Sequence, residues 1–286
     1  MSPPRLDRFV SVHLVAPMLR GSAGASAGGI PILMYHSVSD DPEPGVRPYY
    51  RLATPPALFR DHLSVLADEG FTVVSLPEAV EALDRPIGKD RRLAVITFDD
   101  GFRDFLTHAW PALADRAFPA TVFLPTDYIG HPRRSFVGRE CLTWDEVRDL
   151  RSSGVLFGSH TVTHPKLESL DDAGLQDELS RSRTILEDQL REPVDTFCHP
   201  YGFPAANRDY VRRLRALLLS TGYSISTTTN VGRATAASDR LTLPRLPVNG
   251  ADDVRLFAAK LRGAYDWTAR PQALFKRVKR ALRSFA

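Results

Sequence analysis

Several features that would narrow the function of a chain are scarce or missing here. There are two cysteines, Cys141 and Cys198, in 286 residues, too few for a disulfide framework, and a single bridge between them is not readable from sequence. No apolar run reaches membrane length. Charge of one sign is not in excess: 37 Lys and Arg stand against 34 Asp and Glu, a net +3. The acidic residues are interspersed rather than segregated, so nucleic-acid binding is not expected. No internal repeat is found. What remains is ordinary and sufficient: 43% apolar residues, enough to bury one large core or two small ones.

The ends of the chain differ from its middle. Arg5 and Arg8 precede FVSVHLVAPML and a small-residue stretch, an order similar to a signal peptide but interrupted by His13, Pro17 and Arg20. Residues 1–29 therefore read as a tail ahead of the folded domain, with a weak signal or anchor as the other reading. Residues 268–286 read as a basic amphipathic helix. Leu274, Val278, Leu282 and Phe285 form its stripe, and Lys276, Arg277, Lys279, Arg280 and Arg283 surround it. Such a helix suits peripheral contact with an anionic membrane, or packing back on the domain.

Between them, residues 30–267 alternate. Short apolar or β-branched runs occur at 31–35, 71–76, 93–98, 120–124, 155–159, 195–199, 223–227 and 241–248. Most gaps hold segments of helical period, such as PALFRDHLSVLADEG, RDFLTHAWPALADRA, TWDEVRDLRSSG and the long stretch carrying Leu175, Leu179, Ile185, Leu186 and Leu190 on one face. This alternation predicts parallel strands with helical crossovers. The fold class is α/β: a single (β/α) barrel of about seven or eight strands, related to the TIM barrel, with an open doubly wound sheet as the alternative.

In such a barrel, functional side chains collect where strands end. The run ending at Phe98 delivers Asp99 and Asp100. SHTVTH delivers His160 and His164, DTFCH delivers His199, and PILMY delivers His36. Two adjacent carboxylates repel unless a cation holds one of them. Two imidazoles and one carboxylate make the open donor set of a hydrolytic zinc site, and they also suit non-haem iron. Taken singly each signal is weak. Asp100-Gly101 is ordinarily a turn, and His36 and His199 alone would be buried, hydrogen-bonded histidines. His13, His62, His108 and His131 carry no functional reading. The conjunction on one barrel face is the informative observation.

TFDDG (97–101), SHTVTH (159–164) and the PYG of FCHPYG (197–202) together resemble the leading motifs of the polysaccharide deacetylases, the NodB-homology proteins of carbohydrate esterase family 4. The resemblance covers most of residues 30–250 and implies a distorted (β/α) barrel holding one divalent ion, usually zinc, sometimes cobalt. It implies Asp99 as catalytic base, Asp100, His160 and His164 as metal ligands, and the Tyr201 backbone N–H as an oxyanion donor. Two features depart from the family pattern. Cys198 stands where many members carry an arginine that supports the base, and no histidine occurs in LTLPRLPVNG, where many carry the general acid. The aspartate pair also comes on the third strand. That order is similar to the circularly permuted branch that includes poly-N-acetylglucosamine deacetylases, in which a histidine on the leading strand is the acid. The implied acid is then His36, protonated before it acts, with Arg245 as the replacement support for Asp99.

The expected reaction is hydrolysis of an N-acetyl group on an amino-sugar glycan, or on a lipid- or nucleotide-linked amino sugar. Two other readings are a metal hydrolase of a small amide or imide on the same fold, and a non-catalytic glycan-binding or scaffold protein. A cytoplasmic or membrane-face location fits the sequence, with export dependent on the weak N-terminal signal.

Overall fold

The computed structural model describes residues 5–20, 29–85 and 91–269. Its centre is an eight-stranded parallel sheet. The strands are β1 (Ile32–Tyr35), β2 (Phe71–Val73), β3 (Arg92–Phe98), β4 (Thr121–Leu124), β5 (Leu156–Ser159), β6 (Thr196–Cys198), β7 (Ile225–Val231) and β8 (Leu243–Pro247). Seven of them close into a barrel in the order β1–β8–β7–β6–β5–β4–β3, with β3 pairing back to β1. The closing register runs from Ile32 opposite Val95 to Tyr35 opposite Phe98. β2 lies outside the ring and pairs only with the first half of β3, Phe71 to Val73 against Arg92 to Ala94. The fold is thus the closed barrel, not the open sheet.

The strand sequences explain why the ring closes. β3 reads RLAVITF and is buried from Leu93 onward, the near-continuous apolar pattern of a strand covered on both faces. Successive side chains alternate. Leu93 and Val95 join a cluster with Ile32, Phe123, Cys198 and Leu243. Ala94, Ile96 and Phe98 join Leu33, Tyr35, Phe59 and Leu63 beneath the helices. β3 therefore delivers Thr97 and Asp99 to the same side as Leu93 and Val95.

Three helices fall close to the segments named from sequence, Pro56–Asp68, Trp144–Ser152 and Asp172–Leu190, and three more are Leu76–Leu83, Arg208–Thr221 and Val254–Leu261. One predicted helix is broken. RDFLTHAWPALADRA forms a wide π-turn, Phe105–Ala109, then a short helix, Trp110–Ala114. Pro111 has no N–H to donate to the carbonyl four residues back, so a regular first turn is not available.

The N-terminus also differs from a plain tail. Residues Leu6–Arg20 are helical and dock against the last described helix. Arg5 donates to Asp252 at 3.0 Å, Tyr265 donates to Asp7 at 2.8 Å, and Trp267 Nε1 donates to Ser11 Oγ at 3.0 Å. Asp252 and Lys260 beneath them form a buried ion pair at 2.8 Å. The basic stripe from Leu274 to Phe285 lies outside the described residues. Among the described residues, no helix is long and apolar enough to cross a membrane.

Candidate active site

The C-terminal ends of β1, β3, β5, β6 and β8 bring the sequence-nominated residues together. The turn after β3 is tight: Asp100 and Gly101 have φ of 72° and 63°, a region that L side chains avoid. A Cβ on Gly101 would lie 2.6 Å from Leu124 Cδ2, so glycine is required there. The ordinary reading of Asp-Gly as a turn and its functional reading are the same structure. Thr161, His164 and Tyr201 also sit at positive φ, and backbone strain of this kind is held where a fold presents functional groups.

Asp100, His160 and His164 converge. Their Nε2 atoms lie 3.6 and 3.5 Å from Asp100 Oδ1, and all three residues are buried. Donors ~2.1 Å from one tetrahedral ion lie about 3.4 Å from each other, so the separations fit a shared cation. The protonation pattern fits too. His160 Nδ1 lies 2.8 Å from the Cys198 carbonyl, which fixes the proton on Nδ1 and leaves Nε2 as a lone pair facing Asp100. Burial holds the His164 imidazole neutral, down to about 3, and pushes the Asp100 carboxyl up to about 7. A buried carboxyl group facing the ring nitrogens of two imidazoles is an arrangement that a divalent ion stabilises.

Asp99 has the opposite environment. Burial alone would raise its pKa, but Arg245 outweighs burial and holds the carboxyl well below the usual range. The guanidinium is fully buried and bidentate, Nη1 to Oδ1 and Nη2 to Oδ2, both at 2.7 Å. It also donates to the Thr228 carbonyl, to Thr97 Oγ1 and to Cys198 Sγ, each at 3.1 Å. Cys198 touches Asp99 Oδ1 as well, at 3.6 Å. Thus the position that departs from the family pattern holds a thiol, and the cation comes from β8 on the other side of Asp99.

His36 Nε2 lies 3.9 Å from Asp99 Oδ2, and its side chain is 20% exposed. Burial first, then Arg245, lowers its pKa to about 4 against the pull of Asp99. This environment favours the neutral imidazole of His36, where the sequence led us to expect a protonated one. Tyr201 is 49% exposed, its ring edge-on to His164 at 4.6 Å. Its carbonyl accepts from Thr229 Oγ1 at 3.0 Å, while its N–H meets no backbone acceptor among the described residues. His199 is not part of the cluster, because its Nε2 bonds Tyr210 OH at 2.7 Å. His62 is a satisfied core histidine, bonded to Tyr35 OH and the Asp252 carbonyl.

Two residues that shape the site were missed from sequence. Glu178 accepts from Val162 N–H at 2.8 Å, Thr163 N–H at 3.0 Å and Thr163 Oγ1 at 2.6 Å, pinning the turn that carries His164. Its signal was available: a carboxylate between Leu175 and Leu179 on a buried helix face. Phe136, on the small hairpin Ser135–Phe136 with Arg139–Glu140, packs against the His164 ring at 4.9 Å. It carries no local signal.

A closed parallel barrel whose strand ends gather two histidines and a carboxylate beside an arginine-held aspartate offers the donor set of a hydrolytic metal site. Comparison with known proteins narrows the reading. The model of the polysaccharide deacetylase family matches residues 87–224, a little under half of the chain. YxkH of Bacillus subtilis (strain 168), named among the polysaccharide deacetylases, is 27% identical over 220 residues, 77% of this chain and 71% of that one. The poly-β-1,6-N-acetyl-D-glucosamine N-deacetylase of Staphylococcus aureus is 25% identical over 145 residues, 47% of this chain and 48% of its own length. Among solved structures, the Streptococcus pyogenes deacetylase PplD in complex with acetate superposes with a TM-score of 0.70 at 27% identity, over 82% of this chain and 98% of that one.

Proposed function

We propose that this chain is a divalent-metal-dependent hydrolase that removes N-acetyl groups from an N-acetylhexosamine glycan. The observation that carries the reading is the pairing of Asp100, His160 and His164, spaced for one ion, with an Arg245-held Asp99 alongside. Asp100, His160 and His164 would hold the ion, zinc by donor type and cobalt or another divalent ion by the same geometry; when bound it supplies Lewis acidity to a water and to the acetyl oxygen.

The chain's own groups then divide the proton work. Asp99, ionised at neutral pH, accepts a proton from the attacking water as the C–O bond forms. The Tyr201 N–H donates to the developing oxyanion, a contribution of about 2.7–4 kcal/mol for one such donor in other acyl-transfer sites. The amine leaves only if protonated. His36 begins neutral, so the proton that it delivers to nitrogen must first reach it from the water, by way of Asp99 at 3.9 Å. Asp99 suits that relay, since Arg245 makes it a weak and therefore brief proton holder. The C–N bond breaks, and acetate and the free amino sugar leave. Glycans of N-acetylglucosamine are the substrate class that the relatives' names support.

The test is metal content and acetate release measured on one preparation, with N-acetylglucosamine oligomers and with small N-acetyl amides. About one ion per chain and release from the oligomers support the reading. Release from the small amides alone would replace it with the small-amide hydrolase.

A further inference from the structure

The loop that follows His36 presents an aromatic pair that the chemistry above does not use. Tyr49 and Tyr50 are 44% and 63% exposed and stand edge to face with ring centroids 5.3 Å apart. Exposed aromatics on a floppy loop would mean little, but this loop is braced from three directions. Asn249, just past β8, donates to the carbonyls of Pro48 and Arg51, both at 3.0 Å, on either side of the pair. The Glu43 carboxylate accepts from the N–H groups of Leu52 and Ala53 at 3.0 Å. Arg139, from the hairpin that places Phe136 on His164, donates to Ser37 at 2.8 Å, to Asp41 at 2.7 Å and to Glu43 at 3.2 Å.

The location is set by topology. The loop leaves the C-terminal end of β1, and Asn249 leaves the C-terminal end of its neighbour β8, so the pair lies on the barrel face that carries Asp99 and His36. Val46, Val137 and Tyr201, on loops that also follow the C-terminal ends of strands, are 36%, 64% and 49% exposed. These exposed side chains are carried on separate loops that follow different strands. Such surfaces match an extended ligand with flat apolar faces, which a pyranose ring has and a small amide does not.

We propose that Tyr49 and Tyr50 form a stacking subsite for a neutral sugar ring, one that binds a unit of the glycan other than the one being deacetylated. This inference rests on the glycan reading of the site and extends it to chain length. Pre-organisation by Asn249, Glu43 and Arg139 lets the rings bind with little loss of loop entropy.

Binding and turnover test it separately. Binding is measured by calorimetry on Asp99→Asn protein, with monomeric N-acetylglucosamine and with β-1,6- and β-1,4-linked pentamers. Turnover is measured on otherwise native protein as the ratio of kcat/KM for pentamer over monomer. Tyr49→Ala/Tyr50→Ala should weaken pentamer binding and lower that ratio by roughly fivefold to tenfold, and Tyr49→Ala/Tyr50→Trp should recover most of the loss. Equal losses for monomer and pentamer, or pentamer binding unaffected by the double substitution, would overturn the subsite. Pentamer binding that depends on the tyrosines in a protein that releases no acetate would uphold the subsite and defeat only the deacetylase reading.

Discussion

The proposed mechanism asks Asp99 to be both a charged group in a protein interior and a working base, and Arg245 reconciles the two demands. A buried carboxylate without a partner would take up a proton; the guanidinium fork keeps it ionised. Removing one side of such a pair leaves the other charge stranded. Arg245→Met is expected to cost about 3–5 kcal/mol of stability, measured by urea unfolding against wild type. Asp99→Asn keeps the shape and loses the base, so acetate release should fall by ~10²–10⁴ while bound metal, assayed by atomic emission, stays at the wild-type level. Loss of metal in that variant would instead place Asp99 among the ligands. His36→Gln is expected to behave like Asp99→Asn, with metal retained and kcat reduced.

At the scale of elements, the site depends on turns held by carboxylates some distance away in sequence. Glu178 holds the turn between His160 and His164, so Glu178→Gln should weaken metal binding by about 10–100-fold, read from a competitive chelator titration. Glu146 closes the capping box on Thr143 and pairs with Arg133 and Arg103. Burial would raise its pKa, but Arg133, the Thr143 N–H and Arg103 bring it down to about 2. A carboxylate with a depressed folded-state pKa stabilises above its unfolded value and loses that contribution as pH falls. Thermal unfolding from pH 5 to pH 2 should show wild type losing more stability than Glu146→Gln, and parallel curves would contradict the assignment. Elements of this kind were unevenly legible. Most of the eight strands announced themselves as short apolar or β-branched runs, the pattern of parallel strands covered on both faces. Pro111 was visible inside its helix, yet the π-turn that it enforces was not anticipated. Glu178 was passed over because a helix face was read for its apolar stripe and not for the polar residue within it.

At the scale of the molecule, closure determines what the sequence could reveal. Asp99, Asp100, His160 and His164 were legible because each follows a strand, and a parallel barrel puts every strand end on one face. Arg245 was harder, since it meets Asp99 across 146 positions of sequence, and its neighbourhood in LTLPRLPV says nothing of a partner. The exclusion of β2 from the ring was not legible either: FTVVSL reads like the other strands, and only the pairing of β1 with β3 displaces it. The N-terminal segment was read as a tail because its apolar part is interrupted. Its anchorage runs through Arg5 to Asp252, and the buried partner Lys260 lies far along the chain. Asp252→Asn should therefore unfold the protein at markedly lower denaturant, and hydrogen exchange should show residues 6–20 losing protection first.

The central claim, metal-dependent N-deacetylation, is tested most directly by following acetate release from N-acetylglucosamine pentamers as metal is stripped with a chelator and restored with zinc. Release that falls to background on stripping and returns with about one equivalent per chain is the expected result. Release that ignores the chelator, or none at any metal loading, would contradict the account.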